Sequence, residues 1–157
     1  MRAARRLLLR PAVVLGITFL SAARSIVPGG SRRGSVAEGT TVCDYDPLEK
    51  ERKHSIELAC AHLEHRGIDL NLLETPGYRD FIGQVYSALF AAETLVLVVD
   101  ADEGVRPNTR KIWQIGEEME RPCFIVVSRA DREHAKLDEV LTQIQEHLTS
   151  EGIEVIE

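Results

Sequence analysis

No CxxC pair occurs in this chain, and its three cysteines, Cys43, Cys60 and Cys123, form an odd set. A disulfide-built fold and a thiolate zinc site are both disfavoured by that usage. Glycine (11) and proline (6) are too scarce for a collagen-like or low-complexity chain. The apolar run Pro11 to Leu20, about ten residues long, is short for a membrane span and gives no confident membrane segment. Acids are absent from residues 1–33, which carry seven arginines; residues 34–157 hold all 25 acids against 12 Lys and Arg, a net charge of -13. The body of the chain is therefore a poor general binder of naked nucleic acid and shows no direct DNA-binding feature. What is present, 157 residues with 44% hydrophobic and 28% charged, suits one globular domain with a sizeable core.

The N-terminal segment is ambiguous. Residues 1–27, MRAARRLLLRPAVVLGITFLSAARSIV, open basic, turn apolar and end in small residues. That pattern imitates a secretory signal or an arginine-rich targeting peptide. It also reads as a buried first strand (Ala12 to Leu15) and helix, or as an irregular end. We treat 1–33 as an atypical basic and apolar segment and 34–157 as the domain proper. Residues 27–39 are rich in Gly and Ser and read as irregular. Residues 40–54 read as a mobile surface loop with a helical turn near 47–52.

Regular patterning begins at Ser55. Residues 55–63 and 68–73 alternate at period two and predict a hairpin around the turn at 65–67. Residues 79–92 carry Phe81, Ile82, Val85, Leu89 and Phe90 at helical spacing. TLVLVV at 94–99 and CFIVV at 123–127 read as strands buried on both faces of a parallel sheet. Residues 107–120 and 133–149 have helical apolar stripes, and 153–156 can begin another strand. This alternation predicts an α/β domain with a largely parallel sheet. Ligands in such folds lie outside the carboxyl ends of the strands, here at 74–77, 100–102 and 128–131.

Four segments at those places resemble one family in order and spacing. GSVAEGTTVCDYDPLEKERKHSI resembles the first switch region of translational GTPases of the elongation factor G family. NLLETPGYRDFIGQVYSAL resembles the second switch, LVLVVDADEGVRPNTRKIWQ the following strand and helix, and SRADRE the guanine-reading motif. The resemblance covers roughly residues 34–149. It implies a P-loop NTPase-like three-layer domain, incomplete at its C-terminus and atypical at its N-terminus. It further implies GTP or GDP with Mg²⁺ as ligand, the ribosome as a partner and a cytoplasmic location, with the signal-like N-terminus as the dissenting feature.

Phosphoryl transfer to water needs a glycine-rich loop ending in Lys and Ser or Thr. GxxxxGK[ST] does not occur in this chain; Gly16 and Thr18 are the candidate remnants, with Ile17 where the lysine belongs. Their bland reading is structural packing. In the first switch, Arg52-Lys53-His54-Ser55 stands where the family has Arg-Gly-Ile-Thr, so Ser55 is the candidate magnesium ligand or else the first residue of a strand. Thr18 and Glu74 complete the implied metal set. Glu74 replaces the second switch's aspartate, one methylene longer, and can reach the cation through water or face solvent as a strand-end carboxylate. Gly77 can offer its N–H to a γ-phosphate. Tyr78 stands where a water-orienting histidine is common, although some divergent members also carry tyrosine; alternatively it packs beside Phe81.

Ser128-Arg129-Ala130-Asp131 stands where the family reads guanine. Asp131 keeps the base-reading carboxylate, Arg129 can lay its stem along a base, and Ser128 loses the asparagine amide. The bland reading is a turn whose Asp131 caps the next helix. The family's final base-contacting segment is expected beyond Glu157. His62, His65, His134 and His147 form no metal constellation. Cys60 and Cys123 are expected in the core, Cys43 in a loop where exposure is open, and Trp113 packed in a helix. The sequence thus implies a GTP-binding domain with weak or absent hydrolysis, or a non-catalytic interaction domain that keeps the fold, or an enzyme whose true N-terminus differs from this one.

Overall fold

A computed structural model describes residues 10–15, 43, 45–65 and 67–149. Five strands form one sheet in the order β2-β3-β1-β4-β5. β1 is Arg10–Leu15, β2 Ala59–His65, β3 Ile68–Thr75, β4 Thr94–Asp100 and β5 Cys123–Ser128. β1 runs parallel to β3 and β4, and β4 parallel to β5; β2 pairs antiparallel with β3 as the expected hairpin. Among the described residues four helices accompany them: α1 (Pro47–Arg52), α2 (Ile82–Ala91, entered through a 3₁₀ turn at Arg79–Phe81), α3 (Pro107–Glu118) and α4 (Leu137–His147).

The principal core lies between the sheet and α2, α3 and α4. Leu95, Leu97 and Val99 of β4 meet Val85, Ala88 and Leu89 of α2, Ile112 and Ile115 of α3, and Val140 and Ile144 of α4. The i, i+3, i+4 and i, i+4 spacings of these helical residues are the apolar stripes of amphipathic helices. Trp113 packs partly buried against the same core, as expected. On the opposite face Cys43, Ala59 and Leu72 make a smaller cluster with Ala61, Val96 and Val98 around it.

Several expectations need correction. β4 and β5 are not buried on both faces: β4 alternates between buried and half-buried, and Phe124 of β5 is 63% exposed. The three described helices of the main core all cover one face. β2 starts at Ala59 rather than Ser55, because the backbone of Ile56 and Glu57 is bonded to side chains of α1 and α2 rather than to a neighbouring strand. α4 starts at Leu137 rather than 133, since turns from Arg132 N to Arg129 O and Ala135 N to Arg132 O occupy the approach. Asp131 therefore caps no helix; the cap position is Lys136. Cys60 is exposed, being on the edge strand beyond the cover of α2, whereas Cys43 is buried beneath the sheet with Leu72. Gly16, Thr18, residues 27–39 and 153–156 lie outside the described residues.

Candidate functional site

The parallel strands deliver their carboxyl ends to one edge of the sheet. Leu15, the last residue of β1, is level with Thr75 on β3 and Leu97 on β4, while Asp100 is level with Ser128 on β5. The strand order reverses at β1, since β3 lies on one side and β4 on the other. Such a switch point leaves a crevice for a ligand.

Ser55 and Glu74, both singled out as cation ligands, meet there. Both are buried, and Ser55 Oγ donates to Glu74 Oε1 across 3.5 Å. The reading of Glu74 as a strand-end carboxylate in solvent is thereby corrected: β3 continues to Thr75 and carries the side chain inward. Beside it Thr75 is also buried, and its Oγ1 has no hydrogen-bond partner among the described residues. A hydroxyl and a carboxylate side by side are a hard-oxygen pair, the donor chemistry that Mg²⁺ takes. Among the described residues no cluster of three His, Cys, Asp or Glu side chains forms a self-sufficient metal centre. The pair therefore fits an ion that arrives with further oxygen ligands of its own, as a magnesium phosphate does.

The turn after Glu74 is held from a neighbouring helix. Asn108, in the first turn of α3, donates its Nδ2 to the Gly77 carbonyl at 2.7 Å. Tyr78 is exposed and its ring lies against His54, with centroids 4.5 Å apart and planes inclined at 45°. His54 and Tyr78 thus tie the segment before β2 to the turn after β3.

Ser55 owes its place to a residue that the motif comparison passes over. Asp46 and Glu49 form a capping box at the start of α1: Asp46 Oδ1 accepts from Leu48 N, and Glu49 Oε2 accepts from Asp46 N. Glu49 Oε1 reaches forward to accept from Ile56 N at 2.8 Å and Glu57 N at 3.1 Å. The signal was the spacing of Asp46 and Glu49 around Pro47, which marks a helix start; the forward bonds to 56 and 57 have no local pattern.

The base-reading positions are drawn together differently from the resemblance. Ser128 Oγ donates to Val99 O at 3.4 Å, and Arg129 Nη1 pairs with Asp100 Oδ2 at 2.6 Å. Arg129 adopts a left-handed backbone (φ 60), which turns its side chain back over the end of β4. A second pair, Arg132 Nη1 to Asp102 Oδ2 at 2.7 Å, closes the same two loops further out. The Arg129 guanidinium is committed to Asp100 rather than laid out as a platform, while Asp131 stays exposed. These residues fit the base end of a nucleotide less well than Ser55 and Glu74 fit its cation.

A family model described as the elongation factor Tu GTP binding domain matches residues 19–156. An elongation factor G-like protein of Mycobacterium tuberculosis is 42% identical over 116 residues, covering 74% of this chain and 16% of that protein. Peptide chain release factor 3 of Bordetella avium is 30% identical over 131 residues, 83% of this chain and 24% of the relative. A crystal structure of a protein from Thermus thermophilus superposes with a TM-score of 0.80 at 32% identity, over 88% of this chain and 22% of that one. The chain thus spans about a sixth to a quarter of the length of these proteins. The α/β fold with its mostly parallel sheet is that of the P-loop NTPase-like G domain.

Proposed function

Because this chain belongs to the family of the elongation factor Tu GTP-binding domain, we propose that it is a guanine-nucleotide-binding domain of the translation-factor class with weak or absent hydrolysis. The juxtaposition of Ser55 and Glu74 beside the end of β1 carries the binding half of this reading. Magnesium GTP, when bound, supplies the γ-phosphoryl group and the cation that neutralises its charge. Ser55 and Glu74 would hold the cation, and the Gly77 N–H would face the γ-phosphate.

The weakness of hydrolysis rests on what the residues lack. None of the four lysines, Lys50, Lys53, Lys111 and Lys136, follows a glycine, so the sequence has no P-loop lysine. Ile17 offers a triphosphate neither charge nor donor. Tyr78 presents a phenol O–H where an imidazole nitrogen would accept a proton from water. Ribosome association and a cytoplasmic location belong to the same proposal, supported by the resemblance to translation factors alone. A non-catalytic interaction domain is the second reading, favoured by the Arg129–Asp100 pair across the base-reading loops.

Calorimetry with magnesium GTP and GDP, paired with a phosphate-release assay on the full chain, separates these readings. Measurable binding with no turnover above the uncatalysed rate is expected. Turnover stimulated by ribosomes overturns the hydrolytic half; no heat with either nucleotide leaves the interaction domain.

A further inference from the structure

A cleft opens between the N-terminal ends of α2 and α3. Arg79 and Ile82 form one wall, and Pro107, Asn108 and Lys111 the other, around about 350 Å³. Ile82 and Pro107 make it apolar, and the aliphatic stems of Arg79 and Lys111 extend that surface toward solvent. Sites that take a ligand group have volumes of about 300–1,000 Å³. None of Ser55, Glu74 and Gly77 lines the cleft, so it is distinct from the nucleotide site proposed above. Asn108 keeps the two walls together, because its Nδ2 holds the Gly77 carbonyl two residues before Arg79.

Charge at the cleft opposes that of the domain. Residues 34–157 carry a net charge of -13, yet the two ionisable groups that line the cleft are both cations. Four cations elsewhere are paired: Arg106 to Glu103, Arg129 to Asp100, Arg132 to Asp102 and Lys136 to Glu139. Arg79 and Lys111 are exposed and form no ion pair among the described residues. Arg110 adds a third exposed cation, and α3 has no acid before Glu117. Asp80 does not line the cleft, nor does Glu118, which accepts from Gln114 Nε2 at 2.8 Å.

The apolar surface continues beyond the cleft. Ile82, Tyr86 and Phe90 are spaced i, i+4, i+8 along one flank of α2. Ile82 and Tyr86 are half-buried against the core, whereas Phe90 is 75% exposed. Gln84, on the opposite flank, is bonded to Ile56, so the stripe lies on the α3 side, where Ile82 and Lys111 share the cleft. From Ile82 to Phe90 the helix rises about 12 Å. That length exceeds one small molecule lodged in the cleft and suits two apolar side chains of a polypeptide.

We propose that the cleft and this stripe bind a segment of a partner protein in which one or two carboxylates precede apolar side chains. A carboxylate meets Arg79 and Lys111 at the rim, where the guanidinium fork can bond both of its oxygens. One apolar side chain fills the cleft over Ile82 and Pro107, and a second lies along Tyr86 and Phe90. Complementary charge at the rim gives specificity and on-rate, while the apolar contacts supply the burial. A nucleic-acid strand fits worse, since so few cations do not offset a run of phosphates beside a body of this charge.

NMR titration of the full chain with blocked peptides tests this. Acetyl-Asp-Glu-Leu-Ser-Ser-Ser-Phe-amide spaces its two apolar side chains about 13 Å apart when extended. It is expected to shift the amide signals of Arg79, Ile82 and Lys111 with a Kd below about 1 mM. The form with Asn-Gln for Asp-Glu, and the form with Ser for Leu and Phe, should each bind at least about 10-fold more weakly. Arg79→Glu and Lys111→Glu should each weaken the first peptide about 10-fold, and Phe90→Ala about 3-fold. Raising salt from about 0.05 to 0.5 M should weaken it severalfold. The three substituted side chains are exposed, and unchanged signals from Val140 and Ile144 verify the fold. Should a variant not fold, the peptide series on the wild-type chain decides. Equal affinity for the acidic and amide peptides, binding unmoved by both charge reversals, or no shift at 79, 82 and 111 by about 5 mM peptide overturns the proposal. So does tighter binding of 4-phenylbutyrate or of an oligothymidylate at the same amides, which would assign the cleft to a free organic acid or to nucleic acid.

Discussion

Asn108 Nδ2 donates to the Gly77 carbonyl across 2.7 Å, joining the first turn of α3 to the turn that ends β3. The two residues are 31 positions apart, so the bond fixes one loop against another element rather than shaping a turn locally. Asn108→Ala removes the donor and is expected to lower stability by about 0.5–1.5 kcal/mol. Asn108→Asp should lower it further, by about 1–3 kcal/mol, because a carboxylate oxygen would then face a carbonyl oxygen with no proton between them. Urea unfolding of both variants checks the order; an Asp variant as stable as wild type contradicts the geometry.

The ion pair between Arg129 and Asp100 leads to a prediction about selectivity. Ser128 is spent on the Val99 carbonyl and Arg129 on Asp100, which leaves Asp131 as the motif side chain we propose for reading a base. A site that hydrogen-bonds its ligand rejects analogues strongly, and one that has lost those bonds does not. Any nucleotide binding by the chain should therefore prefer guanine over adenine by less than about 10-fold. The double variant Ser128→Asn with Arg129→Lys should widen that preference at least about 10-fold, as read by competition between GTP and ATP for a fluorescent analogue. A wild-type chain already selective by a factor of about 1000 would refute this.

Lys53 occupies a left-handed conformation, φ 59 and ψ 33, at the end of α1. Helices commonly exit through such a residue, and glycine is preferred because it has no Cβ. The family's Arg-Gly-Ile-Thr puts glycine at this position, so the backbone supplies a physical reason for it. Lys53→Gly is expected to stabilise the chain by about 1 kcal/mol, although glycine elsewhere usually costs about that much. Thermal unfolding checks the sign; a destabilised variant would mean that φ is negative here.

Much of this fold was legible because its signals are local. The apolar stripes of α2, α3 and α4, the hairpin of β2 and β3, and the turn at Pro76-Gly77 can each be read within a dozen residues. The meeting of Ser55 and Glu74 followed only through the family resemblance, since nothing in their spacing of 19 residues specifies contact. Glu49, Asn108 and the Arg129–Asp100 pair escaped for a different reason. Glu49 looks like one more charge in DPLEKERK until Ile56 and Glu57 turn back onto it, and Asn108 like an ordinary first-turn residue until Gly77 arrives. Cys60 was assigned inward by alternation alone, which sets the face of a strand but not whether a helix reaches it.

Cys123 supplies a pH-dependent test. Burial, followed by the charge of Glu117, pushes its thiol up to about 12 from an ordinary value of 9.0. Between those two values the unfolded chain has lost the thiol proton while the folded chain keeps it. Fewer protons on the unfolded state mean that stability falls as pH rises through that window, and below pH 9.0 this contribution is flat. Cys123→Ala should flatten that alkaline fall in denaturation midpoints. At about pH 8 iodoacetamide should label exposed Cys60 faster than half-buried Cys123, as read by peptide mass spectrometry. Equal labelling of the two under native conditions would contradict the partial burial of Cys123 at the start of β5.

Gly116 sets two familiar effects against each other. It lies within α3, where replacing glycine by alanine ordinarily gains about 1 kcal/mol. A Cβ built there, however, would stand 2.7 Å from Leu95 Cδ2. Leu95 is fully buried in the main core, so its methyl has no solvent to retreat into. Overpacking of this kind costs about 1–3 kcal/mol, which outweighs the propensity gain. Gly116→Ala should therefore destabilise by up to about 2 kcal/mol in the wild-type background. In a Leu95→Ala background the obstructing methyl is gone, and the same substitution should be neutral or stabilising. The double-mutant cycle measures that coupling directly. Equal effects of Gly116→Ala in the two backgrounds would show that α3 and β4 do not approach as closely as the sheet register and core packing require.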